Sequence, residues 1–156
     1  MFIEINLVSG LKINQVVYVG GPLPRDAPVM WNTVAWILQG LLALTFLFHG
    51  ILYTFGPERL VRPMREQGRW PPAIPTSFRI FIGIAELLAA VGLVLPGLLH
   101  LFTFLTPLAA AGLVIVTFSA SIYHLRRREV AAVPIVGALL VLTAIVAILR
   151  WQVAPL

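Results

Sequence analysis

No cysteine occurs in this 156-residue chain. That absence excludes disulfides, thiolate nucleophiles, iron–sulfur ligation and cysteine zinc sites built from this chain alone. Charge is also scarce: Asp, Glu, Lys and Arg make up 11% of the residues, with only six acidic side chains in all. Soluble globular domains carry about a quarter charged residues. The formal net charge of +5 does not mark a nucleic-acid surface, because the basic residues punctuate apolar segments and form no continuous patch. The first eight residues hold Glu4 where a secretory signal has a basic region, and no apolar core precedes an Ala-x-Ala site.

What is present is apolar sequence in abundance, 60% of residues with a mean hydropathy of +0.96. A membrane-spanning helix needs about 20 mostly apolar residues. Four runs qualify: 29–55, ended by Gly56-Pro57; 78–95, ended by Pro96-Gly97; 98–125, with Pro107 inside it; and 133–149, opened by Pro134 and closed by Arg150. Pro-Gly and Gly-Pro pairs punctuate helix ends. The third run is expected to be one kinked helix, the alternative being a short interfacial piece with Pro107 opening the true span. Basic residues alternate between the connections. Arg59, Arg62, Arg65, Arg69, Arg79, Arg126, Arg127 and Arg128 fall on one side; Lys12, Arg25 and Arg150 fall on the other. The positive-inside rule then places loops 56–77 and 126–132 in the cytoplasm and both termini outside. The setting expected is a prokaryotic plasma membrane.

Residues 1–30 differ in character. Two short stretches rich in β-formers flank Ser9-Gly10, and a Gly-Gly-Pro-Leu-Pro tether follows. The fold class expected is therefore an all-α membrane protein, a bundle of four transmembrane helices with a short β-rich extracytoplasmic segment at the N-terminus. Three regions follow: an extension over 1–30, the four-helix domain over 31–150 and a tail over 151–156.

Glu86 is the only acidic residue inside any of the apolar runs. A carboxylate at such depth is costly, so it normally faces the bundle interior with a partner and a use. Arg79, Gly83, Glu86 and Ala90 share one helix face by their 4, 3, 4 spacing. Thr45, His49 and Tyr53 do the same on the first helix. Thr103, Pro107, Ala110, Val114, Thr117, Ser121 and His124 form a stripe on the third. Counted at 1.5 Å per residue, Glu86 and His49 lie roughly 12 and 10 Å from the same end of the bundle. Glu86 is thus the candidate catalytic residue, with His49, Thr117, Ser121, His124 and Arg79 as candidate ligand-binding residues beside it. Plainer readings stand alongside. Serine and threonine in membrane helices usually bond a carbonyl one turn back, Arg126–Arg128 reads as a topology and headgroup signal, and Arg79 either snorkels or pairs with Glu86. Glu86 itself could simply tie the second helix to His49 or Thr117.

The segment Gly83-Ile84-Ala85-Glu86 through Gly92-Leu93 and Pro96, then Thr106-Pro107-Leu108, then Ala120-Ser121-Ile122-Tyr123-His124 before the basic loop, resembles the DoxX / DoxX-like family of small four-helix membrane proteins. The resemblance spans about 120 residues, 31–150, and reaches the first helix through Phe48, Gly50 and Pro57. By it, Glu86 and His124 match recurrent polar positions. Tyr53 stands where many members carry lysine, and the first 30 residues fall outside the pattern. The resemblance implies a membrane subunit of a redox complex, with no covalent cofactor and a quinone as the bound molecule. Alternatives are a non-catalytic scaffold or accessory subunit of a larger complex, and a small transporter. Haem ligation by His49 and His124 fails on their depths, which differ by roughly 8 Å by helical rise, and no metal site follows. The expected partners are the lipid bilayer and other membrane subunits or further copies of the chain, with no nucleic acid.

Overall fold

The computed structural model describes residues 27–57 and 74–156. Four helices run through them: α1 Ala27–Phe55, α2 Thr76–Leu99, α3 Leu105–Arg126 and α4 Ala132–Ile148. A π-helical turn, Leu149–Val153, continues α4. All four are long and apolar enough to cross a membrane. Gln39 reaches Leu93, His49 reaches Glu86 and Gly50 abuts Gly83, so α1 and α2 run antiparallel. α3 packs on α2, α4 on α3, and the end of α4 returns to the start of α1.

The expected fold class needs one correction. Among the described residues the chain is all-helical and contains no strand, so the β-rich segment finds no support. Residues 1–26, where most of that expectation fell, lie outside the described residues. Residues 27–30, assigned to the extension, are the opening of α1 instead. Pro28 sits in its first turn, where a missing N–H costs nothing.

Two further boundaries move. Pro96 does not end α2, which runs on to Leu99. Termination comes at His100, in the left-handed region at φ 52°, with the N–H groups of His100 and Leu101 both directed at the Pro96 carbonyl. The run 98–125 is accordingly not one kinked helix. α3 begins only at Leu105, with Pro107 in its first turn, close to the alternative in which the true span opens at that proline.

Each helix buries one narrow stripe. On α2 it is Arg79, Gly83, Glu86, Ala90 and Leu93, the face read from spacing. On α3 it is Thr106, Ala110, Leu113 and Thr117, a stripe that shares only Ala110 and Thr117 with the one expected. Leu42, Phe46, Ala90, Leu93, Ala110, Leu113 and Val146 form the apolar centre. Large apolar side chains such as Phe48, Phe81, Leu88 and Ile135 point outward. In water that would be a liability; in a bilayer it is the solvated surface.

Candidate functional site at the basic-loop end

α1 and α2 meet at a glycine contact that sets the site. A methyl group on Gly50 would stand 2.8 Å from the Gly83 carbonyl oxygen, and one on Gly83 would stand 3.0 Å from the Gly50 carbonyl oxygen. Backbones this close bring the neighbouring side chains within direct reach. Nδ1 of His49, the residue before Gly50, sits 2.6 Å from Oε2 of Glu86, three residues beyond Gly83. In this hydrogen bond whichever partner holds the proton donates it. Glu86 is thus paired, and its partner comes from α1.

The two members differ in surroundings. The Glu86 side chain is 4% exposed, whereas that of His49 is 43% exposed. One turn on from His49, the ring of Tyr53 lies 4.0 Å from the imidazole, centroid to centroid. Arg79 neither snorkels nor pairs with Glu86. It is buried, and its Nη1 donates to the Tyr53 carbonyl at 2.5 Å. That bond holds α2 against the last turn of α1, where orphan carbonyls need donors.

The other expected residues divide. Thr117 donates to the Leu113 carbonyl at 2.7 Å and Ser121 to the Thr117 carbonyl at 2.8 Å, so both follow the plainer reading. Thr45 likewise bonds Leu41 and is exposed. His124 belongs to a second cluster, made by the way α3 ends. Arg128 takes the left-handed conformation usually given to glycine, while the Glu129 N–H returns to the His124 carbonyl and the Arg128 N–H to that of Leu125. This cap folds Glu129 back over the helix end. Its Oε2 then lies 2.5 Å from His124 Nδ1, and its Oε1 accepts from Arg127 Nε at 2.6 Å. Partial burial pushes the Glu129 carboxyl upward, but the bonds from Arg127 and His124 outweigh it and hold the group below the usual carboxylate range. Arg127 is raised chiefly by the same bond.

Arg127 therefore is not a headgroup anchor: it is 2% exposed and lies 5.4 Å from the Tyr123 ring centroid. The flanking Arg126 and Arg128 are exposed and keep that reading. Spacing within the basic run could not separate the three. Tyr53 lies within electrostatic reach of Glu86, Arg79, Tyr123 and Glu129. At the end of the bundle that carries the basic loops, His49, Tyr53, Arg79 and Glu86 thus form one polar group and Tyr123, His124, Arg127 and Glu129 a second.

A family model described as the DoxX-like family matches residues 37–146, well over half of the chain. The chain belongs to the DoxX-like family. The matched stretch takes in His49, Tyr53, Arg79, Glu86, His124 and Glu129. No significant match is found among curated proteins or solved structures. Membership and the four apolar helices together establish this DoxX-like protein as an integral membrane protein.

Proposed function

We propose that this protein is a membrane subunit of a quinone-linked redox complex, in which the His49–Glu86 pair exchanges protons with the quinone head group. The observation that carries the reading is the asymmetry of the pair: a buried carboxylate behind a partly exposed imidazole. An amphiphile dissolved in the bilayer meets His49 first. With Nδ1 engaged by Glu86, Nε2 is the nitrogen left to bond a carbonyl or hydroxyl oxygen. Glu86 fixes the ring orientation and takes or returns the proton on Nδ1, so the imidazole can lose one at Nε2 while gaining one behind it.

The residues fit such a head group. Its carbonyls need donors, which the imidazole supplies; its ring needs an apolar or aromatic surface, which Tyr53 provides. When bound, the quinone supplies two-electron chemistry, with electrons assigned to a partner subunit. The DoxX-like membership supports a membrane setting for this chemistry.

The test is purification in mild detergent followed by lipid extraction and mass spectrometry. A quinone should co-elute with wild type and be lost from His49→Leu. A stoichiometric larger complex that contains no quinone would overturn the reading in favour of an accessory subunit.

A further inference from the structure

The opposite end of the bundle holds a buried cation that bonds no acid among the described residues. Arg150 is 2% exposed, inside the π-helical turn that follows α4. Its Nε donates to Gln39 Oε1 at 2.6 Å. Its Nη1 donates to Asn32 Oδ1 at 2.7 Å and to the Ala154 carbonyl at 2.9 Å. Gln39 is itself fully buried and passes its amide on to the Leu93 carbonyl. The Trp36 ring covers the guanidinium, 5.3 Å from its central carbon to the ring centroid. Nη2, also buried, has no hydrogen-bond partner among the described residues. Among the described residues the carboxylates of Glu86 and Glu129 are engaged at the far end of the bundle.

A buried guanidinium normally has its charge answered and its donors filled. Here every bonded partner is neutral, and one nitrogen is left over. The π turn contributes to this arrangement: its wide loop closes through the Ala154 N–H on the Leu149 carbonyl at 2.7 Å, which sets the Ala154 carbonyl on Nη1. Single π turns recur at functional sites.

The vacant nitrogen also limits how a ligand can bind. Carboxylates and phosphates alike are recognised best by two parallel N–H bonds from adjacent guanidinium nitrogens. Nε and Nη1 are both taken, so neither fork that includes Nη2 is whole. What remains for an anion is Nη2 alone, one donor nitrogen for one oxygen, and the level of the site in the bundle decides which anion can reach it. Arg150 lies three residues, about 5 Å, inside the end of its span. Exposed Trp31 and Trp151 mark the same level, where tryptophans sit among headgroups. Asn32 is exposed, so the guanidinium lies one side chain beneath the surface.

We infer that Arg150, framed by Asn32, Gln39 and Trp36, is a binding site for the phosphate of an anionic lipid headgroup, held through Nη2. The site is independent of the His49–Glu86 chemistry.

The test uses the full chain, stripped of lipid in a neutral maltoside detergent. Phosphatidylglycerol, phosphatidylcholine or inorganic phosphate is added back, and thermal unfolding and native mass spectrometry are read. Phosphatidylglycerol at about 100 times its dissociation constant should raise the wild-type midpoint by roughly 5–10 °C and survive as a bound adduct; phosphatidylcholine should do neither. Arg150→Gln should lose the rise. Should that variant fail to fold, Asn32→Asp decides: it sets a carboxylate where Oδ1 already meets Nη1, so the charge is answered internally and the lipid-dependent rise should vanish. An equal rise with inorganic phosphate would keep the phosphate site and assign it to the free ion. A wild type indifferent to phosphatidylglycerol over phosphatidylcholine, or an Asn32→Asp variant that responds like wild type, would overturn the proposal.

Discussion

Gly50 and Gly83 face each other across the α1–α2 contact so closely that a methyl group on either would press on the other's carbonyl oxygen. The His49–Glu86 bond depends on that approach. Gly83→Leu should therefore prise the helices apart, with a loss of about 1–3 kcal/mol from overpacking alone. A thermal unfolding series in detergent checks it. A Gly83→Leu variant as stable as wild type, with His49 and Glu86 still bonded, would contradict the dependence.

Glu86→Gln and Glu86→Leu separate proton exchange from helix tying. Gln keeps the shape and a hydrogen bond to His49 but holds no titratable proton. Leu keeps neither and strands the imidazole, at a cost of about 1–3 kcal/mol. Under the proposed function the Gln variant retains wild-type stability yet loses quinone-dependent turnover of the complex. Full turnover in the Gln variant, with the Leu variant alone impaired, would reduce Glu86 to a packing residue.

Acid should loosen the α3–α4 turn through Glu129. Its carboxyl is held below the ordinary value of 4.5 in the folded state. The stabilisation is therefore complete above the unfolded pKa and disappears as pH falls through the lower folded one. The wild-type melting midpoint should drop more steeply below about pH 4.5 than that of Glu129→Gln, which has no carboxylate to protonate. Parallel acid limbs for the two proteins would show that the cap does not depend on the ionised form.

Orientation rests on eight arginines against three basic residues. A reporter fused at residue 128 should report the cytoplasm and one after Leu156 the exterior. The reverse pattern would invert the protein in the membrane and leave its four spans in place.

Local patterns carried some features of this fold and long-range ones carried others. The end of α1 was readable from Gly56-Pro57, and the buried face of α2 from the spacing of Arg79, Gly83, Glu86 and Ala90. His49 as a partner for Glu86 was readable too, since both lie at similar depth on adjacent antiparallel helices. Between residues 95 and 105 the sequence is apolar without periodicity, so nothing marked the break at His100. Pro96 looked like a stop, yet a proline is tolerated late in a membrane helix when the freed backbone groups find other partners. Glu129 was missed because an arginine, not a glycine, occupies the left-handed position that folds it back. Arg150 and Gln39 stand 111 residues apart, and no local signal joins them.

The apolar centre separates two polar ends. On α1, Leu42 and Phe46 stand between Gln39 and His49, over a rise of about 15 Å, and the partners facing them are Ala90, Leu93, Leu113 and Val146. The hydroxyls nearby, Thr117 and Thr143, are turned onto carbonyls of their own helices. This slab is an insulator. Under the proposed function, protons exchanged at His49 and Glu86 would be drawn from and returned to one face of the membrane, and that exchange would move no charge across the bilayer through this chain.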